Sequence, residues 1–215
     1  MLDYNKLALK AVELQKENKF KEAKKIYKDL LKIKINPQIL RLLGIIEYEE
    51  KNYFEALKLL NDCLEIDQKN SECYSNRGVV HSALENFDEA ILDYKKSIDI
   101  DNKNYNAFFN LGNLYKKNNQ LDKAIKNFDK SILINRYNKK AYHNRGVVKS
   151  LLLKFNDAIE DFDKAIEIDP NYSNSYFFKS LIQLKIGDFK NGWKNYEYRW
   201  ASTNFPTPEK KLKQP

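Results

Sequence analysis

The sequence has little of what strands, long loops and cross-linked folds require. Only 6 glycines and 5 prolines occur in 215 residues, and one recurring position accounts for Gly44, Gly78, Gly112 and Gly146. The 2 cysteines, Cys63 and Cys73, have no CxxC spacing, so neither a disulfide framework nor a metal site is indicated. No stretch approaches the ~18 consecutive apolar residues of a membrane span. These absences favour an all-helical chain that does not enter a membrane.

Two further absences limit the location and the partners. The N-terminal segment MLDYNKLALKAVELQKENK has no uninterrupted apolar core and no small-residue cleavage site, so we expect no signal peptide and a cytoplasmic protein. The net charge of +8 lies at the two ends, because residues 37–198 contain 24 basic and 24 acidic residues. A protein that binds nucleic acid regardless of sequence needs a basic stripe on its binding face. We therefore expect neither nucleic acid nor a membrane as a partner.

What the chain does contain is an internal repeat. Residues 71–172 hold three back-to-back copies of a unit of 34 residues. Three sets of residues keep this spacing: Gly78, Gly112 and Gly146; Ala90, Ala124 and Ala158; and Tyr94, Phe128 and Phe162. A period of this size identifies a repeat architecture, in which each unit buries its apolar face against its neighbours.

Each unit has the pattern of two helices. Apolar residues recur at three- and four-residue spacing, stop at a short polar segment and then resume. In the third unit the break is Glu85-Asn86, which predicts helices over about 71–84 and 87–100. Such short connections make the two helices antiparallel neighbours. We predict six units, over 4–36, 37–70, 71–104, 105–138, 139–172 and 173–200, followed by a linker or disordered tail over 201–215.

These units resemble tetratricopeptide repeats, which carry an aromatic residue, glycine, alanine, an aromatic residue and a closing Asp-Pro in this order. Asp169-Pro170 matches the closing pair, whereas Asp101-Asn102 and Asn135-Arg136 depart from it. The resemblance covers about residues 4–200. It implies an all-α fold, an α-solenoid of about six antiparallel helix-turn-helix units wound into a right-handed superhelix. It also implies a concave groove lined by the first helix of each unit, protein or peptide binding, and no catalytic residues.

Three successive first helices carry an asparagine two residues before the glycine, namely Asn76, Asn110 and Asn144. The resemblance places this position on the groove, where such a ladder holds a peptide backbone. The chemistry suits that role, because an asparagine amide offers both a donor and an acceptor to a peptide unit. Neighbouring groove candidates are Asn106, Phe109, Asn113, Lys140, His143 and Phe177. The alternative is ordinary repeat composition, since asparagine is abundant throughout the chain.

The sixth unit is irregular. Gly192 stands where the repeat has alanine, and the segment GWKNYEYRW contains both tryptophans, Trp193 and Trp200. This segment resembles the last repeat of bacterial proteins in which such an array precedes a glycosyltransferase domain. The two tryptophans either close the apolar core against solvent or dock a following domain, and we favour docking.

No catalytic constellation is apparent. His81 and His143 occupy different repeat positions, and no Gly-rich phosphate loop or nucleophile elbow occurs. We expect a solvated face for four carboxylates on second helices or their exits: Asp99, Asp101, Asp161 and Asp163.

The sequence therefore predicts a non-enzymatic scaffold with no cofactor and no metal, whose groove binds an extended segment of a protein or peptide. The alternative is a substrate-recruiting arm of a bacterial glycosyltransferase whose catalytic domain is absent from this chain. A third hypothesis is self-association, because the Lys-rich first unit and the aromatic last unit are unlike surfaces.

Overall fold

The computed structural model describes residues 3–202, and every regular element in that range is helical. The order is α1 Tyr4–Lys16, α2 Phe20–Ile33, α3 Pro37–Glu49, α4 Tyr53–Ile66, α5 Ser71–Ala83, α6 Phe87–Ile100, α7 Tyr105–Lys117, α8 Leu121–Ile134, α9 Lys139–Leu151, α10 Phe155–Ile168, α11 Ser173–Lys185, α12 Phe189–Tyr196 and a terminal 3₁₀ helix Glu197–Ala201. The predicted all-α fold of paired helices is confirmed, while the handedness of the superhelix stays a prediction. None of the helices between residues 3 and 202 is long and apolar enough to cross a membrane.

A repeated asparagine starts the first helix of four pairs. Asn36, Asn70, Asn104 and Asn138 directly precede α3, α5, α7 and α9. Each side-chain oxygen accepts a hydrogen bond from a backbone N–H in the first helical turn, at distances of 2.9 to 3.2 Å. These N-caps satisfy donors that a helix start leaves unpaired. Pro37 is the first residue of α3, where its missing N–H costs nothing.

A residue in the left-handed region closes the first helix of every pair. The φ angles are 58° at Asn18, 65° at Lys51, 62° at Glu85, 55° at Asn119, 60° at Leu153 and 88° at Gly187. After Glu85, the N–H of Asn86 donates to the carbonyl of His81 at 2.9 Å, which is the closing bond of a Schellman turn. The break predicted at Glu85-Asn86 is this turn, between α5 and α6.

The residues up to Leu114 form the first of two compact units. Within residues 3–114, α1 to α6 pack consecutively, and α3 also contacts α5. Its core contains Tyr27, Leu30, Ile46 and Leu60, all with 0% exposure. Each large side chain buried in this way contributes ~1.5–3 kcal/mol to folding. Cys63 and Cys73 are buried free thiols.

The second unit begins at Tyr115, so the division falls within α7. Helices α8 to α12 pack consecutively, and α9 also contacts α11. The repeat glycine allows a close approach of α9 to α10. A Cβ atom on Gly146 would lie 3.0 Å from Cε1 of Phe162 and 3.1 Å from the carbonyl oxygen of Ala158. A side chain at this position therefore requires the facing groups of α10 to shift.

The predicted linker over 201–215 is described only at its start. Ala201 ends the 3₁₀ helix, and its carbonyl oxygen accepts a hydrogen bond from Ser173 Oγ at 2.7 Å. The Ser202 hydroxyl donates to Asn174 Oδ1 at 2.6 Å. Residues 203–215 lie outside the described residues, and the prediction for them stays a prediction.

Candidate functional site

Asn76 lies in the middle of α5 and is half-buried. Its Nδ2 atom is buried and has no hydrogen-bond partner. An amide donor left unsatisfied in the interior costs ~1–3 kcal/mol. Because this nitrogen is buried, it meets an acceptor of a ligand only when the side-chain amide turns outward.

Two pockets meet at Asn76. The first has a volume of about 250 Å³ and is lined by polar residues that include Arg41, Ser75, Lys103 and Asn106. The second, called here the apolar pocket, has a volume of about 150 Å³; its wall consists mostly of Gly44, Ile45, Tyr48, Leu60, Val79 and Val80, and Glu49 and Asn76 complete the lining. The first pocket brings together two of the predicted groove residues, Asn76 and Asn106.

The other predicted groove residues of the first compact unit, which ends at Leu114, lie on α7. Asn106 is exposed, whereas Phe109, Asn110 and Asn113 are half-buried. The spacing of four and three residues places Asn106, Asn110 and Asn113 along one face of the helix. This face therefore offers a row of amide groups.

In the second compact unit, which begins at Tyr115, Asn144 already has a polar partner. The Lys116 ammonium donates to Asn144 Oδ1 at 3.2 Å, and burial lowers the pKa of Lys116. Lys140 is exposed in the first turn of α9. The neighbourhood of Asn144 is therefore basic and partly desolvated.

His143 is 6% exposed, and its Nδ1 atom lies 3.0 Å from Ser175 Oγ. Three rings surround the imidazole with centroids 5.3 to 5.5 Å away, those of Phe162, Tyr172 and Phe178. Burial lowers the pKa of His143 to about 4, and the nearby charge of Lys116 acts in the same direction. The imidazole is neutral at pH 7. Protein groups cover most of the ring. Its predicted contact with a ligand stays a prediction.

Sequence reasoning missed two arginine–aspartate pairs beside the asparagines. Arg77 donates to both carboxylate oxygens of Asp93 at 2.8 and 2.7 Å. Arg145 binds Asp161 in the same way at 2.9 and 2.5 Å. Both pairs have the same 16-residue separation and occur two repeats apart, so the pattern was present in the sequence. Such two-pronged pairs fix the arginine in one orientation.

The prediction of a solvated face was wrong for Asp161, which is 3% exposed. It is paired with Arg145 and, at 2.9 Å, with Lys149. Burial on its own lowers the pKa of the Arg145 guanidinium, but the hydrogen bonds and charges of Asp161 and Asp129 outweigh it and raise that pKa. Asp161 therefore holds Arg145 in place.

The other three carboxylates are less buried than Asp161. Asp99 and Asp101 are exposed. The side chain of Asp163 is 51% exposed and pairs with Lys179 at 2.5 Å.

The two tryptophans lie at the end of the described chain. Trp193 on α12 is 58% exposed and Trp200 is 44% exposed. The Arg199 guanidinium lies over the Trp200 ring at 4.3 Å and over the Tyr196 ring at 4.7 Å. Phe177, by contrast, is buried and packs against Tyr196 at 5.8 Å. Trp193 therefore presents more free ring surface than Trp200.

Paired helices with a 34-residue period define a helical-repeat protein. Tetratricopeptide-repeat models match residues 37–103, 93–126 and 140–172, which together are more than half of the chain. The chain belongs to the tetratricopeptide-repeat family. Between residues 3 and 202, no group of three or more His, Cys, Asp or Glu side chains is placed to hold a metal ion.

Solved structures share this fold. PilF of Pseudomonas aeruginosa has a TM-score of 0.81 at 14% identity, with 89% of this chain and 88% of that chain covered. A crystal structure of MamA has a TM-score of 0.65 at 22% identity, covering 73% of this chain and 91% of that one. YrrB, described as a repeat protein with an unusual peptide-binding site, has a TM-score of 0.63 at 15% identity, covering 81% and 91%. A search among curated proteins gave no match.

Proposed function

We propose that this chain is a non-enzymatic interaction scaffold, and that the first helices of its units hold an extended segment of a partner protein. The observation that carries the proposal is the orphaned Nδ2 donor of Asn76, which lies between two pockets. Membership of the tetratricopeptide-repeat family supports it, as does the peptide-binding site described for YrrB. The cytoplasmic location stays a prediction.

The asparagines fix the backbone of the segment but do not supply most of the affinity. Each hydrogen bond contributes a net ~0.5–1.5 kcal/mol, so a few of them reach about millimolar affinity. Pockets that bind side chains of the segment must supply the remaining affinity. In the first compact unit, the two pockets at Asn76 are the candidates.

The test is an affinity capture from host lysate with the native chain and the triple variant Asn76→Ala, Asn110→Ala, Asn144→Ala. Alanine favours helices, so the fold should persist, and a melting curve checks this. The matched control changes three exposed asparagines outside the first helices, namely Asn102, Asn156 and Asn171. A partner bound by the native chain and the control but lost from the triple variant is the expected result. A partner kept by all three proteins would contradict the proposal.

An exposed aromatic face of α12 supports a second candidate function, the docking of another domain such as a glycosyltransferase catalytic domain. Phe189 and Trp193 are 61% and 58% exposed, four residues apart on one face of α12. If this candidate is correct, a captured partner remains bound to the triple asparagine variant and is lost from Trp193→Ser. Exposed Leu92→Ser on α6 is the control for removing an apolar surface residue.

A further inference from the structure

Two buried positions beside Asn76 carry small side chains where other pairs carry rings. Leu60 on α4 stands at the position that holds an aromatic residue in the other pairs: Tyr27, Tyr94, Phe128, Phe162 and Tyr196. Ser75 on α5 stands at the position that holds a ring in the following pairs: Phe109, His143 and Phe177. Leu60 is fully buried and Ser75 is 4% exposed. Because both positions are buried, these smaller side chains fill less of the interior than the rings of the other pairs do.

The apolar pocket results from this lost volume. In the third pair, a Cβ on Gly78 would lie 2.8 Å from the Tyr94 ring, so the aromatic side chain fills the space beside the glycine. In the second pair, Leu60 also packs against its glycine, with Cγ 3.1 Å from a Cβ on Gly44. Leucine has fewer side-chain atoms than tyrosine, and a pocket of about 150 Å³ remains next to it.

The size and lining of this pocket suit an aliphatic side chain. Its volume of about 150 Å³ corresponds to about five water molecules at ~30 Å³ each. Water against the apolar wall of this pocket finds no hydrogen-bond partner on that side, so an apolar group that covers the wall displaces it favourably. Side chains with four heavy atoms, as in leucine, isoleucine and methionine, match the space.

Asn76 adds a backbone contact at the edge of the pocket. Its buried Nδ2 atom makes no hydrogen bond, so turning this nitrogen outward breaks none that it makes. A half-turn about the last side-chain torsion exchanges Nδ2 with Oδ1, and such torsions have a broad two-fold preference. The amide can thus offer its donor to a peptide carbonyl.

The polar pocket on the other side of Asn76 has no net charge preference. Arg41 is 9% exposed and pairs with Glu72 at 2.9 Å. Lys103 and Asp101 are both exposed and opposite in sign. This pocket therefore favours a polar residue next to the aliphatic one.

We propose that the apolar pocket is an anchor site for one leucine, isoleucine or methionine of an extended partner segment. The carbonyl of the anchored residue accepts a hydrogen bond from Asn76 Nδ2, and the adjacent residue lies in the polar pocket. This assignment rests on the proposed function and adds the side-chain class that the segment must carry.

The test uses a displayed library of random nine-residue peptides, selected on the native chain. Selected peptides are then synthesised, and their affinities are measured by fluorescence anisotropy. We expect one aliphatic residue at a fixed position in the selected peptides. The variant Leu60→Phe, which restores the ring of the other pairs, should weaken binding by at least about 10-fold, the order that burial of one aliphatic side chain supplies.

The matched control is Leu92→Phe, the same substitution at a position 65% exposed on α6, within the same compact unit up to Leu114. It should leave affinity unchanged. If a melting curve shows that Leu60→Phe does not fold, Val79→Phe at the half-buried wall of the pocket takes its place.

The possible outcomes separate the two levels of the proposal. Peptides that lose affinity with Asn76→Ala or Asn144→Ala but bind the pocket-filled variant normally would overturn the anchor site and leave the scaffold function standing. A library that yields no binder would overturn both.

Discussion

Asn76 and Asn144 occupy the same repeat position, two residues before the glycine, yet their surroundings differ. Beside Asn144, the preceding residue is His143, whose ring packs against Phe162 at 5.5 Å. The amide oxygen of Asn144 accepts a hydrogen bond from Lys116. At this site the repeat positions are filled with rings and the asparagine is engaged.

Beside Asn76, Ser75 stands in the place of His143 and Leu60 in the place of Phe128, and two pockets open there. The amide nitrogen of Asn76 has no partner. A repeat position therefore fixes where a side chain sits on its helix, while the neighbours in three dimensions decide whether it is structural or available to a ligand.

Both sites share an arginine held by a buried aspartate, and removing that aspartate should have the largest effect. Asp161→Ala leaves Arg145 and Lys149 without their common anion in a partly desolvated site. Removing one member of a buried ion pair costs ~3–5 kcal/mol, and because Arg145 retains Asp129 we expect about 3–4 kcal/mol. Urea unfolding measures the loss. The control Asp163→Ala removes a carboxylate 51% exposed and should change stability by less than about 1 kcal/mol.

The second prediction is a pH dependence that arises from the ring-filled site through His143. The pKa of His143 is lowered from 6.5 to about 4, so the unfolded chain takes up this proton first as the pH falls. Stability from this group is therefore complete above pH ~6.5 and is lost between about pH 6.5 and 4, by about 3 kcal/mol.

The variant His143→Phe introduces phenylalanine, which two other pairs carry at this repeat position as Phe109 and Phe177. It should flatten this part of the pH–stability curve, measured by urea unfolding from pH 4 to 7.5. A curve identical to that of the native chain would show that another group, such as His81, governs the transition.

The third prediction converts one site toward the other. Phe128→Leu gives the fourth pair the leucine of the second pair, 16 residues before Asn144 as Leu60 is before Asn76, and removes part of a ring with 0% exposure. Lost burial and the resulting cavity should cost about 2 kcal/mol. The reverse change, Leu60→Phe, should not destabilise the chain by that amount, because it fills an existing pocket. If both changes cost the same, the pocket beside Leu60 is not spare volume.

The repeat period predicts most of the fold. The spacing of Gly78, Gly112 and Gly146 identifies the repeat, and the apolar period with its polar breaks places both helices of each pair. The N-caps at Asn36, Asn70, Asn104 and Asn138 have the same period, so they were also readable. These features depend on the local chain, which is why the sequence specifies them.

The candidate site is only partly predictable, because its properties depend on neighbours distant in the chain. The asparagine ladder marks Asn76, but its unpaired donor follows from what α3 and α4 leave vacant. Asp161 has the sequence environment of a surface carboxylate and is buried by Arg145, 16 residues earlier. Charge and polarity alone do not distinguish these cases.

The smallest predicted effect concerns the turns that follow α5 and α9, the helices that carry Asn76 and Asn144. Glu85 closes the turn after α5 and Leu153 the turn after α9, with φ angles of 62° and 60°. A left-handed backbone costs a residue with a side chain ~1–2 kcal/mol, whereas glycine adopts it freely but loses more entropy on folding. Leu153 is 66% exposed, so Leu153→Gly sacrifices little packing and should raise the free energy of unfolding by about 1 kcal/mol.

The control makes the same substitution in a helical backbone. Leu92 lies inside α6 and is 65% exposed, and Leu92→Gly should lower the free energy of unfolding by about 1 kcal/mol. Opposite signs for the same chemical change would show that the backbone angle, and not the leucine side chain, sets the stability of the turn. A loss at both positions would mean that Leu153 contributes apolar contacts that outweigh its strain. In that case the turns after the two helices would share a geometry without sharing its energetic cost.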